Sequence, residues 1–162
     1  MSKINLAVLA LVSAAASTGF AICMTVVHYS TWRFIPTSAF PQFQDASAMR
    51  TVPLAFALGI PSLVLTAITA FRRLPRVSSW LLWIAVALAA VPWIATPAVM
   101  IPIQARLAAN GPATELVQQL VWNDLLLRSL PPFIQSMILL AAVLRSVSHQ
   151  ACESPCHFEC ET

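Results

Sequence analysis

The stretch 80–101, "WLLWIAVALAAVPWIATPAVMI", contains no charged side chain. An α-helix rises about 1.5 Å per residue, so about 20 apolar residues are enough to cross a hydrocarbon core about 30 Å thick. Within lipid, the backbone N–H and C=O groups of a segment must be hydrogen-bonded to one another, which favours a helix. The stretch therefore predicts a membrane-spanning helix.

Three further runs have the same character. The chain has 162 residues, of which 59% are hydrophobic and only 9% are charged, whereas a soluble domain carries about 25% charged residues. The sequence predicts an all-α fold, an integral membrane four-helix bundle that takes up residues 1–147, followed by a cysteine-containing tail at 148–162. The predicted spans are residues 4–27, 52–71, 80–101 and 125–144.

The first run has a second interpretation, because "MSKINLAVLALVSAAAS" has the lysine, the apolar stretch and the small residues near Ala16 of a cleavable signal peptide. The apolar run continues to Val27, however, and this length favours an uncleaved span.

Lysine and arginine residues predict the orientation, because cytoplasmic loops of membrane proteins carry the excess of positive charge. The side that holds the termini carries five of these residues and the other side carries four, so both termini are expected in the cytoplasm. No basic stripe interleaved with aromatic residues is present, so nucleic acid is not an expected partner. The first side has Lys3, Arg72, Arg73, Arg76 and Arg145, and the second has Arg33, Arg50, Arg106 and Arg128.

The connector between the first two runs, "FIPTSAFPQFQDASAMRTVP" at 34–53, is of mixed polarity and contains three prolines. We expect a short helix lying on the membrane surface from about Ala39 to Arg50, separate from the span that follows. His28, Tyr29 and Trp32 precede the connector, and tyrosine and tryptophan often anchor a helix at the membrane interface.

The stretch "LVWNDLLLRSLPP" at 120–132 carries polar groups into the last run. Counted at 100° per residue, Asp124, Arg128 and Gln135 fall on one side of a helix, and at least one polar stripe must face protein or water. Asp124 and Arg128 are four residues apart, so they can form an interfacial ion pair; alternatively, Arg128 faces inward in a polar site. The opposite stripe has Glu115, Gln118, Gln119, Trp122 and Asn123.

Prolines recur every five residues in the third run, at Pro92, Pro97 and Pro102. Each proline removes a hydrogen-bond donor and displaces the carbonyl four residues earlier. The pattern is compatible with a kinked, tilted helix, and also with one wall of a pocket that opens toward the non-cytoplasmic face.

The tail contains "CESPCHFEC", with three cysteines spaced four residues apart. These side chains could bind a metal ion together with the intervening histidine, although the spacing matches no usual zinc pattern. Acylation next to the membrane and an unstructured tail are the alternatives. The weak metal candidates are Cys152, Cys156, His157 and Cys160, while Cys23 is expected to be a small buried hydrophobic residue.

Two parts of the sequence resemble a known group of proteins. "VVHYSTWRFIP" with "FPQFQDASAMR" resembles the first-loop region of small four-helix bacterial membrane proteins of unknown function, and "MIPIQARLAANG" with "LVWNDLLLRSLPP" resembles their later proline, Trp-Asn and arginine positions. The same layout is similar to that of the anthrone-oxygenase-like family. The resemblance extends from about Thr18 to Leu144. The chain departs from the pattern where the relatives are expected to have a proline, at Ser30, and histidines, near Gln44, Ser47 and Leu126.

The resemblance implies a bacterial inner-membrane protein that oxidises an anthrone-like aromatic with O₂ and without a cofactor. In such a reaction a base removes a C–H proton, and cationic and N–H donors hold the resulting enolate, which reacts with oxygen. His28 is the only histidine before the tail, and an imidazole suits the role of base, although His28 could instead face lipid headgroups. The expected catalytic residues are His28, Arg50, Asn123 and Arg128, and the expected substrate contacts are Tyr29, Trp32, Trp93, Gln104 and Trp122.

Other classes of function remain open. The chain could be a non-catalytic accessory or scaffold subunit, with a membrane protein or a second copy of itself as the partner besides the lipid bilayer. A small carrier would normally show repeats, and none is visible. Convergence of His28 and Arg128 on one cavity favours the enzyme with a hydrophobic aromatic ligand, whereas two side chains that face headgroups favour the accessory role.

Overall fold

A computed structural model describes residues 2–75 and 77–153, with the side chains described as far as residue 148. These residues form an all-α four-helix bundle, as predicted. Among the described residues, four helical segments are long and apolar enough to cross a membrane. We call them the first to fourth bundle helices: Lys3–Phe34, Phe40–Arg72, Ser79–Asn110 and Thr114–Ser148.

The α-helices within the bundle are α1 (Lys3–Cys23), α2 (Phe40–Arg72), α3 (Ser79–Ala95), α4 (Ile101–Asn110), α5 (Thr114–Asp124) and α6 (Leu130–Glu153). α1 packs against α2 and α6, and α3 packs against the same two helices. Each bundle helix therefore has its sequence neighbours beside it, as in an up-and-down bundle.

The separate surface helix expected from about Ala39 to Arg50 is not confirmed, because these residues begin one helix that continues to Arg72. Pro41 lies in the first turn, where a proline does not remove an internal hydrogen bond. Pro53 and Pro61 lie inside the helix without ending it, as neighbouring helices allow in membrane bundles. The second span is thus longer than the apolar run that predicted it.

In the described part of the chain, three wide π turns interrupt the other bundle helices, at Met24–Tyr29, Thr96–Met100 and Leu125–Ser129. The N–H groups of Ile101 and Leu130 bond to carbonyl oxygens five residues earlier. Pro102 and Pro131 each come two residues after the end of one of these turns, and a proline ring displaces the carbonyl four residues back, which opens the preceding turn. Wide turns of this kind occur frequently at functional sites.

The π turns separate two kinds of core. On the side of the chain termini, α1 presents Ala7, Ala10 and Ala14 to its neighbours, and such small residues let membrane helices approach closely. On the other side lies what we call the head, residues 24–51 and 96–129, whose core is aromatic and aliphatic. Its buried residues are Met24, Tyr29, Trp32, Phe40, Met100, Ile103, Leu107, Val117 and Leu120.

Candidate functional site

A cavity of about 560 Å³ lies where the head meets the rest of the bundle. This volume is within the range of small-molecule sites, about 300–1,000 Å³. The cavity extends from Gln135 and Ser62 at its deep end to Gln44 and Ser47 in the head. Side chains from all four bundle helices line it, and most of its wall is apolar.

Exposed residues of the cavity wall lie on the second and third bundle helices, which indicates a lateral opening between these two helices. Val52 and Phe56 of α2 and Ile101 of α4 line the cavity and are also exposed on the outer surface. These residues lie at the ends of the predicted spans 52–71 and 80–101. The ring of Phe56 meets the ring of Trp93 edge to face, with centroids 5.2 Å apart.

Arg128 reaches the cavity from the third π turn, and its charge is paired inside the protein. Nη1 is 2.8 Å from Asp124 Oδ1, and the two side chains are 16% and 1% exposed. Nη1 also donates to the Tyr29 hydroxyl at 3.2 Å. Both of these hydrogen bonds leave from Nη1, so Nη2 and Nε are left to bind a ligand oxygen.

Asp124 is held from its other side by the first bundle helix. Thr25 Oγ1 donates to Asp124 Oδ2, and the hydroxyls of Thr25 and Ser129 are 2.9 Å apart. A buried carboxylate needs such partners, because an unpaired one is costly in a low-dielectric interior. The ion pair therefore faces inward, and of the two interpretations of Arg128 the structure has the inward-facing one. Arg128 is among the residues that line the cavity, and Asp124 is not.

His28 lies in the head end of the cavity wall. Its Nε2 is 2.7 Å from Ser47 Oγ, which comes from α2. Its ring is surrounded by aromatic rings, with centroids 5.5 Å from Tyr29, 5.6 Å from Trp32 and 6.1 Å from Phe43. The wide turn Met24–Tyr29 carries both His28 and Tyr29, and both of them line the cavity.

Three buried side-chain atoms have no hydrogen-bond partner among the described residues, and all three belong to residues that line the cavity. They are Trp32 Nε1, Gln44 Oε1 and Gln135 Oε1. Buried polar groups are almost always hydrogen-bonded, and an exception calls for an explanation. The residues of the wall thus include one donor and two acceptors without a hydrogen-bond partner among the described residues.

The structure brings together six of the nine residues expected from the sequence. His28, Tyr29, Trp32, Trp93, Gln104 and Arg128 all line the cavity. Arg50 is exposed on α2, Trp122 is 56% exposed, and the Asn123 amide donates to the Gln119 carbonyl at 2.8 Å. These last three side chains are not among the described residues that line the cavity.

Sequence reasoning did not select the polar residues that other helices bring to the cavity. Gln44, Ser47 and Ser62 lie on α2, and Gln135 lies on α6. Gln135 shares a predicted stripe with Asp124 and Arg128, which was a usable signal. Gln44 and Ser47 were singled out only as positions where the relatives are expected to have histidines. Ser62 gave no signal, because its relation to the cavity depends on packing between distant segments.

No described group of three or more His, Cys, Asp or Glu side chains is placed to hold a metal ion. The weak metal candidates lie outside the part of the chain that the structure describes. They are Cys156, His157, Cys160 and the side chain of Cys152. Cys23 is exposed, so the expectation that it is buried is wrong; its side chain lies on the outer face of α1, where an apolar thiol can contact lipid.

Comparisons with known proteins found no match: no family model, no curated protein and no solved structure matches the chain.

Proposed function

We propose that this protein binds a hydrophobic aromatic molecule in the cavity and oxidises it with O₂, as an anthrone-like substrate would be oxidised, without a cofactor. The observation that carries the proposal is the placement of His28 and Arg128 in the wall of one largely apolar cavity. A base and a cation that share a water-poor space are the groups that deprotonation of a methylene carbon conjugated with a ketone through aromatic rings requires.

The proposed reaction begins at the methylene carbon between the two rings. His28 removes one proton from it; when Nε2–H donates to Ser47 Oγ, the Nδ1 lone pair is left to accept that proton. Arg128, Tyr29 and the indole N–H of Trp32 donate to the enolate oxygen. The enolate is the reductant and O₂ is the oxidant: the carbon loses two hydrogens and gains one oxygen atom, and the second oxygen atom leaves as water.

The lateral opening supports a substrate dissolved in the bilayer. The exposed apolar residues Val52, Phe56 and Ile101 line this opening, and a nonpolar molecule can enter past them. The exposed Asp45 also lines the cavity, nearer the start of α2. We place the protein in a bacterial inner membrane with both termini in the cytoplasm. This orientation rests on the positive residues Lys3, Arg72, Arg73 and Arg145, which share one end of the bundle; Lys3 Nζ lies 3.4 Å from the Arg73 carbonyl oxygen.

The test combines binding with turnover in lipid nanodiscs. Anthraquinone, which lacks the acidic C–H, reports binding through quenching of tryptophan fluorescence, and anthrone-dependent oxygen uptake reports turnover above the uncatalysed rate. We expect His28→Phe to bind anthraquinone like the wild type and to lose about 10²-fold or more of the turnover. Arg128→Met should weaken anthraquinone binding about tenfold. Arg106→Met, an exposed change on α4, should change neither binding nor turnover.

Wild-type turnover at the uncatalysed rate, or full turnover in His28→Phe, would overturn the oxygenase. If the wild type does not bind anthraquinone and instead copurifies with a second subunit, the accessory role becomes the better account.

A further inference from the structure

Gln135 occupies the deep end of the cavity and is fully buried, with 0% exposure. Its Nε2 donates to Thr66 Oγ1 at 2.8 Å and to Ser62 Oγ at 3.2 Å, both on α2. Its Oε1 has no partner among the described residues. Nothing in the proposed reaction uses this amide.

The neighbouring hydroxyls fix which way the amide points. Thr66 Oγ1 donates its single proton to the Ser62 carbonyl oxygen at 2.7 Å, so toward Gln135 it can only accept. The NH₂ group must therefore face Thr66, which leaves Oε1 as the free acceptor. A buried acceptor without a partner has a free-energy cost. A ligand that brings a hydrogen-bond donor to this acceptor removes that cost and binds more tightly for it.

The two ends of the cavity differ in the unpartnered groups that their residues carry. The head end has the remaining N–H groups of Arg128, the unpartnered donor Trp32 Nε1 and the unpartnered acceptor Gln44 Oε1. At the deep end, Gln135 Oε1 is the one buried side-chain atom without a partner among the described residues. Gln135 lies seven residues after Arg128 on the fourth bundle helix, which is about 10 Å along the helix at the α-helical rise. One fused aromatic molecule with an acceptor oxygen at one end and a donor at the other can therefore bond to both residues.

We propose that Gln135 accepts a hydrogen bond from a phenolic hydroxyl of the bound molecule, so that the site selects hydroxylated aromatic ketones. This inference rests on the proposed function, because it assumes that the ketone oxygen lies at Arg128. An acyl chain or an unsubstituted ring would bring only C–H groups to Gln135 Oε1 and would leave that acceptor without a partner.

Three probes of similar shape test the inference: anthraquinone, 2-hydroxyanthraquinone and 2-methoxyanthraquinone. Their dissociation constants are measured in nanodiscs, corrected for partition into lipid, at a pH at which the phenol is protonated. We expect the wild type to bind the hydroxyl probe about fivefold more tightly than the other two, the effect of one hydrogen bond worth about 1 kcal/mol. In Gln135→Met the preference should disappear.

Ser136→Ala is the matched control, because Ser136 is the adjacent buried residue and bonds to the Pro132 carbonyl and to Thr18. It should keep the fivefold preference. Equal affinities for the hydroxyl and methoxy probes in the wild type would overturn the inference without any variant, and so would a preference that persists in Gln135→Met.

The outcome also separates this inference from the proposed function. If anthraquinone binds and Arg128→Met weakens its binding, but the hydroxyl group adds nothing, only the role of Gln135 is overturned. If none of the three probes binds, the proposed function is overturned and the inference with it.

Discussion

Replacing Arg128 by methionine tests the energetics of the ion pair at the cavity. Methionine keeps most of the length of the side chain and removes the guanidinium. The variant leaves the Asp124 carboxylate, whose side chain is 1% exposed, with Thr25 as its remaining side-chain partner.

Breaking a buried ion pair by removing one partner costs about 3–5 kcal/mol, because the other charge stays buried and uncompensated. Arg128 is 16% exposed, so part of the attraction is screened and we expect the lower end, about 3 kcal/mol. That corresponds to a change of about 150-fold in the folding equilibrium constant. The double variant Asp124→Leu/Arg128→Met removes both charges and should lose less than about 1.5 kcal/mol.

Unfolding of the detergent-solubilised protein by SDS, followed by circular dichroism, gives the four free energies of the double-mutant cycle. Arg106→Met serves as the control, because Arg106 is exposed and substitution of exposed residues changes stability by less than about 0.5 kcal/mol. A coupling energy below about 1 kcal/mol, or an Arg128→Met effect equal to that of Arg106→Met, would refute the buried pair.

The glycines give two further predictions. Gly111→Ala should destabilise the protein by about 1–3 kcal/mol in the same titration, because Gly111 has φ of +80° and an added Cβ would collide with the Thr37 side chain; unchanged stability would contradict this. Gly59→Ala should weaken anthraquinone binding several-fold, because its Cβ would lie 2.9 Å from Cζ2 of the Trp93 ring and push that ring. Gly19→Ala, with nothing within 4 Å of the new Cβ, is the matched control, and equal binding by both variants would refute the clash.

Much of the bundle was predictable, because the length of an apolar run relates directly to the thickness of a bilayer. The continuity of α2 through Pro53 was not predictable in this way. Pro53 and the mixed polarity before it indicated a break, yet alanine, glutamine, methionine and arginine are good helix formers. Phe40, the first residue of α2, packs into the head core and holds the segment before Pro53 against the bundle.

The site was only partly predictable for a similar reason. The spacing of Asp124 and Arg128 reveals that they can pair, but not that Thr25, from a segment 99 residues earlier, holds the carboxylate. Asn123 lies next to Asp124 in sequence, but consecutive residues point about 100° apart on a helix, so only one of them can face inward.

The π turns have a consequence for comparing this chain with any other. A π turn accommodates one additional residue in a helix whose two flanking parts keep their own faces. Counting 100° per residue through Leu125–Ser129 therefore misplaces everything beyond it by about one residue. An insertion or deletion of one residue elsewhere in these helices would rotate the following face out of the core. Inside Met24–Tyr29, where no proline follows, a deletion would restore an ordinary α-turn and leave both faces in register, so single-residue gaps in an alignment belong there.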